Sequence, residues 1–193
     1  MFTGIITHIG KIREKTETCL VIESEIDLLK RLTKGMSISV DGACLTVISF
    51  DEKTFTIEFM PETAKKTNVQ YFEHGVEVNL ELPATTSTLF AGHIVQGHVD
   101  SVGKITAIVK EGNSLIFQVA IPKSLGKYIV EKGSISMNGI SLTIIEITPE
   151  YFTVGIIPHT LEHTMLHNAK IGEYVNLEVD TMAKYMEKLL EKK

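Results

Sequence analysis

Ser37-Ile38-Ser39-Val40-Asp41-Gly42-Ala43-Cys44-Leu45-Thr46-Val47-Ile48 recurs, with changes, as Ser134-Ile135-Ser136-Met137-Asn138-Gly139-Ile140-Ser141-Leu142-Thr143-Ile144-Ile145, at a constant offset of 97 residues. The same offset holds further along the chain. Phe55-Thr56-Ile57 pairs with Phe152-Thr153-Val154, Pro61 with Pro158, Thr63 with Thr160 and Thr67 with Thr164. Gly75 meets Gly172, and Val78-Asn79-Leu80-Glu81 meets Val175-Asn176-Leu177-Glu178. Toward the start the offset becomes 93, where Gly4, Gly10, Lys11 and Ile12 match Gly97, Gly103, Lys104 and Ile105. A few residues gained or lost in one loop account for the change. Solenoid periods are about 20 to 50 residues and recur at least three times. Two long copies therefore mean a duplicated domain.

Each copy reads mainly as strand. Residues 4–12, 18–23, 36–40, 43–50, 54–59 and 76–82 are short runs rich in Val, Ile, Thr and Phe, bounded by Gly, Asp or Lys turns. The second copy supplies 97–108, 113–121, 133–137, 140–147, 151–157 and 174–179. Six short strands with little helix to cover a sheet leave exposed edges unless the sheet closes. The expectation is all-β: two tandem closed six-stranded barrels. Pro83-Ala84-Thr85-Thr86-Ser87-Thr88 has linker composition, dividing the chain into 1–87, 88–180 and a C-terminal segment, 181–193.

Ser24 to Leu32 has an N-cap serine and helical apolar spacing, with Lys123 to Val130 as its counterpart. In the C-terminal segment Met182, Tyr185, Met186, Leu189 and Leu190 follow helical spacing, capped by Asp180 or Thr181. This helix has no partner in the first copy. Its stripe must pack on its own barrel or on a neighbouring subunit, because so short a helix is marginal alone.

Composition narrows the function classes. With 44% hydrophobic and 22% charged residues the chain is globular. The net charge of −5 and dispersed lysines argue against nucleic acid as a partner. No apolar run is long enough for a membrane span, and the N-terminus lacks signal-peptide character, so the expectation is a soluble, cytoplasmic protein without a membrane partner. Cys19 and Cys44 are too few for a disulfide scaffold and lack zinc-site spacing.

Two copies that must treat two ligands differently should diverge at the chemistry. Cys44 stands opposite Ser141, Asp41 opposite Asn138, Glu62 opposite His159, and Gly4-Ile5-Ile6 opposite Gly97-His98-Val99. A thiol against a hydroxyl, and an apolar residue against an imidazole, suit one pocket that deprotonates and one that activates by addition. Gly92-His93-Ile94-Val95-Gln96-Gly97-His98-Val99-Asp100 is the densest polar cluster. On a strand, histidines five apart point to opposite faces, which argues against a joint metal site. His159, His163 and His167 are four apart, as on one helix face, yet no further ligand completes a metal pattern. No metal is expected.

Together MFTGI at the start, DGACLTV at 41–47, MPET at 60–63, GHIVQGHVD at 92–100, KGSI at 132–135, NGISLT at 138–143, IPHTLEHT at 157–164 and VNLEVD at 175–180 resemble the riboflavin synthase family of the alpha-subunit type. The resemblance runs through the whole chain in order. It implies two Greek-key barrels of six strands, a C-terminal helix and a homotrimer whose active site lies between the N-barrel of one subunit and the C-barrel of the next. It implies a dismutation: two 6,7-dimethyl-8-ribityllumazine molecules exchange a four-carbon unit, giving riboflavin and 5-amino-6-ribitylaminouracil, with no cofactor. Association with lumazine synthase is a further implied partnership.

By position, the family's substrate contacts fall in the N-barrel on Gly4, Ile5, Ile6, Ala43, Cys44, Leu45, Thr46, Glu58, Phe59, Met60, Pro61, Glu62 and Thr63. In the C-barrel they fall on Gly97, His98, Val99, Lys132, Asn138, Ser141, Leu142, Thr143, Gly155, Ile156, Ile157, Pro158, His159 and Thr160, with Asp180 for a ribityl hydroxyl. His98 is the expected proton acceptor from the acidic C7 methyl, because imidazole titrates near neutrality. Ser141 and Thr143 hold that ring, and Cys44 or a water it positions adds to C7 of the other. The family pattern has Asn before Gly in the first copy and Asp in the second, whereas Asp41 and Asn138 reverse it; Asn138 cannot act as a base. A lumazine or flavin carrier on the same barrels is the alternative, distinguished by turnover; a pure interaction scaffold leaves the polar asymmetry unexplained.

Overall fold

The structure, a computed structural model, describes residues 1–191 of the chain. The last two residues of the expected C-terminal segment lie outside the described residues. Strands β1 (His8–Lys15), β2 (Cys19–Glu23), β3 (Ser37–Val40), β4 (Ala43–Phe50), β5 (Thr54–Glu58) and β6 (Glu77–Glu81) close one antiparallel barrel in the order β1-β2-β5-β4-β3-β6. Strands β7 (Ser101–Glu111), β8 (Ser114–Ala120), β9 (Ser134–Met137), β10 (Ile140–Ile147), β11 (Tyr151–Ile156) and β12 (Tyr174–Val179) repeat that order as β7-β8-β11-β10-β9-β12. Closure pairs every strand on both sides and removes the edges. Even the irregularities recur: β4 slips register between Val47 and Ser49, and β10 between Ile144 and Glu146.

Side-chain alternation decides what each strand offers. Ala43, Leu45 and Val47 point into the first core, so Cys44 and Thr46 point out. In β10 Ile140, Leu142 and Ile144 point in, and Ser141 and Thr143 point out. Each core is filled by its own fully buried aromatics and aliphatics, Phe55, Ile57 and Leu80 in one and Phe152, Val154 and Leu177 in the other. Each such residue contributes about 1.5–3 kcal/mol. The barrels meet through the turns Asp41-Gly42 and Asn138-Gly139, all four residues with positive φ. A Cβ on Gly42 would lie 2.6 Å from the Gly139 nitrogen, so only glycine lets the two backbones approach.

Four expectations are corrected. First, β1 and β7 begin at His8 and Ser101, because residues 4–7 and 97–100 leave the barrels as extended arms. His93 and His98 are therefore not on a strand, and the argument from opposite strand faces does not apply to them. Second, the early helix α1 spans only Ile26–Leu29; its N-cap is Glu25 without a side-chain bond, and Ser24 Oγ is buried with no partner among the described residues. Its expected counterpart is a single 3-10 turn, Gly126–Tyr128. Third, segments read as irregular form α2 (Pro61–Lys66) and α3 (Pro158–Glu162), each begun by proline and followed by a 3-10 turn, Asn68–Tyr71 or Met165–Asn168. Fourth, that break takes His167 away from the other two histidines: His159 lies on α3 and His163 stacks on its ring, while His167 pairs with Glu77.

The C-terminal helix α4 (Thr181–Leu190) forms as expected, with Asp180 Oδ1 accepting the Met182 N–H. It touches its own barrel through polar contacts, Lys184 to Asp100 and Glu187 to Lys127 and Tyr128. The stripe Met182, Tyr185, Met186, Leu189 and Leu190 stays 58–71% exposed. Among the described residues no helix is long and apolar enough to cross a membrane.

Candidate active site

The arms exchange barrels within one chain. Gly97 leaves the linker with φ +81 and lies against Cys44: the Cys44 N–H donates to its carbonyl at 2.8 Å, and a Cβ on Gly97 would meet Cys44 Cβ at 2.5 Å. Gly4, φ +77, lies in the same way against Ser141, whose N–H donates to the Gly4 carbonyl at 2.8 Å. Val99 consequently packs on the first core and Ile6 on the second. Phe2 and Val95 bridge the two arms through paired backbone hydrogen bonds.

Two buried glutamates hold the arms. Glu81 accepts from the Thr3 N–H and hydroxyl at 2.7 Å and the Gly4 N–H at 3.1 Å. Glu178 accepts from the N–H groups of Gln96, Gly97 and His98 at 2.7, 2.8 and 3.0 Å. Burial raises both carboxyls above the usual range, and the backbone donors act against it by stabilising the ionised form. Sequence reasoning missed this role: the same Glu closes Val-Asn-Leu-Glu in both copies, and an unchanged residue gives no sign of what it binds.

One half-site is thus assembled on the N-barrel by both barrels. Ala43, Cys44, Glu62, Thr63, Lys66, Thr67, Gly97, His98 and Val99 line a cleft of about 220 Å³. Lys66 and Thr67 were not anticipated; α2 carries Lys66 here, and Thr67 ties to the α2 carbonyl of Thr63 at 2.7 Å. The other half-site is centred on Ser141, whose Oγ is 2.7 Å from His93 Nδ1. The backbone N–H of His93 also donates to the Thr3 carbonyl. Burial lowers the His93 pKa and the nearby charge of Asp180 opposes that shift, so the imidazole favours its neutral form beside the hydroxyl. His93 lies in the stretch between the two copies, residues 84–95.

The expected grouping by barrel therefore needs correction. Gly4, Ile5 and Ile6 serve the C-barrel half-site, and Gly97, His98 and Val99 the N-barrel one. Within one chain His98 stands with Cys44, not with Ser141 and Thr143. Glu58, Met60, Pro61, Ile157, Pro158 and His159 are exposed around the strand-to-helix corners, with Thr63, Gly155 and Thr160 half-buried beside them. Leu45, Phe59, Leu142 and Ile156 are core residues that support the half-sites from behind. Lys132 is exposed at a left-handed position occupied by Gly35 in the first copy. Asn138 is 0% exposed at the junction of the barrels, sealed from any ligand, so its expected substrate contact is corrected to a structural place.

A family model for the lumazine binding domain matches the chain twice, over residues 3–83 and 96–180. Riboflavin synthase of Actinobacillus pleuropneumoniae is 42% identical over 196 aligned positions, covering 100% of this chain and 91% of that one. The chain belongs to the riboflavin synthase family. Riboflavin synthases of Bacillus subtilis and Mycobacterium tuberculosis are each 39% identical, covering 100% and 98% of this chain and 91% and 98% of theirs. Among solved structures, LumP complexed with riboflavin is 26% identical with a TM-score of 0.86, covering 93% of this chain and 100% of that one. LumP complexed with 6,7-dimethyl-8-(1'-D-ribityl) lumazine is 25% identical with a TM-score of 0.83, covering 93% of this chain and 99% of that one. A riboflavin synthase chain with crossed arms carries two unlike half-sites, a thiol with an exposed imidazole in one and a hydroxyl bonded to a half-buried imidazole in the other.

Proposed function

We propose that this chain performs the riboflavin synthase dismutation with its two half-sites in different roles, each half-site facing the unlike one of another copy. The observation that carries this reading is the placing of Cys44 and His98 in one cleft on the N-barrel and the bond of Ser141 to His93 on the other. Two molecules of 6,7-dimethyl-8-ribityllumazine would be seated, one on each barrel. Met60, Ile5, Ile94 and Ile157 are exposed apolar residues around the half-sites, and the bare stripe of α4 offers an oligomer contact, which supports the homotrimer.

In that arrangement the lumazine on the C-barrel is held by Ser141 and Thr143 and loses its C7-methyl proton to His98 of the facing copy. Its carbanion is delocalised into the ring. The lumazine on the N-barrel is activated at C7 by Cys44, directly or through a water that it positions. Ring-to-ring placement supplies proximity, worth up to about 7–11 kcal/mol of barrier. The His93 imidazole fixes the Ser141 hydroxyl, whose rotor is otherwise free. No external cofactor enters this scheme. The polar edges of Thr46 and Thr143 and strand-end backbone groups orient the rings without charge.

The test is incubation of the purified chain with 6,7-dimethyl-8-ribityllumazine alone, with both products quantified. One riboflavin per two lumazines consumed is the expected result. Tight binding without turnover would make the chain a carrier and overturn the proposal.

A further inference from the structure

The junction between the barrels is a buried polar network that obeys the pseudo-twofold repeat except at two positions. Four of its bonds cross the junction in symmetric pairs. The Asn68 N–H donates to Asn176 Oδ1 and the Met165 N–H to Asn79 Oδ1, at 2.6 and 2.8 Å. Asn79 Nδ2 donates to the Asn138 carbonyl and Asn176 Nδ2 to the Asp41 carbonyl, at 2.9 and 2.7 Å. These bonds use backbone groups and the Asn79/Asn176 pair, so either barrel could make them with a copy of itself.

What breaks the symmetry is the Asn68 side chain and the acid it serves. Asn68 Nδ2 donates to Asp41 Oδ2 at 2.9 Å and to Asn138 Oδ1 at 3.3 Å, and its Oδ1 accepts from Asn176 Nδ2 at 2.8 Å. At the repeat position of Asn68 stands Met165, whose thioether receives only the Asn138 amide at 3.5 Å. Asp41 also accepts the Asn79 N–H at 2.7 Å, as Asn138 Oδ1 accepts the Asn176 N–H at 2.7 Å.

We propose that Asp41 and Asn68 make the docking faces heterotypic, so that an N-barrel fits a C-barrel and neither fits its own kind. Two N-faces would bring two Asp41 carboxylates to one dry axis, where both cannot ionise. Two C-faces would keep the four symmetric bonds and lose the three made by the Asn68 side chain, leaving an Asn176 amide N–H short of its acceptor. One carboxylate across the axis is therefore the tolerated number, and Asp41 and Asn138 have equivalent donor sets for it. Burial pushes the Asp41 carboxyl up to about 7, with the Asn79 and Asn68 donors acting against it. The charged groups that share a cavity with this acid are Lys11, Glu77, Lys170 and Glu173; among the described residues none of them bonds to it. The proposal concerns partner choice of the barrels and stands apart from the reaction.

The test uses the full chain and three proteins: wild type, Asn138→Asp, and the double variant Asp41→Asn/Asn138→Asp. Thermal unfolding is followed at pH 8 and pH 5. Asn138→Asp should lower Tm at pH 8 by about 10 °C, and less at pH 5, where one of the two acids keeps its proton. The double variant, with one acid again, should regain most of the loss. If Asn138→Asp is insoluble, a soluble double variant carries the same meaning. A single variant as stable as wild type, a loss independent of pH, or a double variant no better than the single one overturns the proposal.

Discussion

The Cys44 half-site and the Ser141 half-site begin as copies of one hairpin and end with different chemistry. Both side chains point outward from β4 and β10 at the same step of the strand, and both lie under a glycine of a crossing arm. The thiol has an exposed imidazole nearby on the arm itself, His98, whereas the hydroxyl is bonded by His93, which precedes its arm's root in the linker. The difference arises because His93 belongs to the linker between the barrels, not to either repeated segment. Duplication supplied matching frames, and the linker between them supplied the group that fixes Ser141.

If the two half-sites act together from different copies, the comparison breaks most completely when copies are separated. Truncation after Asp180 removes the α4 stripe while leaving both barrels whole, since α4 buries none of its own residues. Turnover should fall by at least about 10³-fold, with a smaller sedimentation coefficient and lumazine binding retained; full activity in a monomer would refute the facing arrangement. Next in size is His98→Ala, which should cost roughly 10²–10³-fold in kcat with little change in binding, the range for a general base. Cys44→Ser makes the two half-sites chemically alike and should cost about 10-fold or more, read as kcat at saturating lumazine; unchanged turnover would restrict Cys44 to packing.

His93→Ala releases Ser141 and should lower kcat several-fold. Because burial holds the His93 pKa down, protonation of His93 should add little to the change in rate across pH 6–8, and Ser141→Ala should remove any added effect of the His93 variant. The smallest effect concerns stability. The Asp41 carboxyl is pushed up to about 7 in the fold, from its ordinary value of 3.8 in the unfolded chain. The folded state therefore holds the extra proton between those values, and stability falls as pH rises from about 4 to 7. Asp41→Asn should flatten that decline in Tm by a few degrees; an unchanged slope would place its cause elsewhere.

Legibility differed between these parts of the molecule for physical reasons. The strands were readable because alternation of Val, Ile and Phe with polar residues is a local pattern, and closure followed from the need to pair edges. Helices α2 and α3 were missed because each is little more than one turn, too short for a periodic signal, although Pro61 and Pro158 at their first turns marked the starts. The Ser24 cap failed because α1 is set by packing of Leu28 and Leu29 into the core, not by its N-terminus. Cys44, Ser141 and His98 were recoverable from divergence between copies. Glu81, Glu178 and Asn68 were not, because identical or buried polar residues reveal no role until their partners are known.

By itself the sequence determined two barrels, their strand order of hydrophobic faces, the outward placement of Cys44 and Ser141, and the capped C-terminal helix with its apolar stripe. Only the tertiary structure decided which barrel each glycine arm completes, which histidine meets which nucleophile, and why Asp41 and Asn138 sit back to back. The first group depends on interactions within a few residues or on the count of edges to be paired. The second depends on contacts between groups 48 to 108 residues apart, such as His93 with Ser141 and Asn68 with Asn176, for which no local pattern exists.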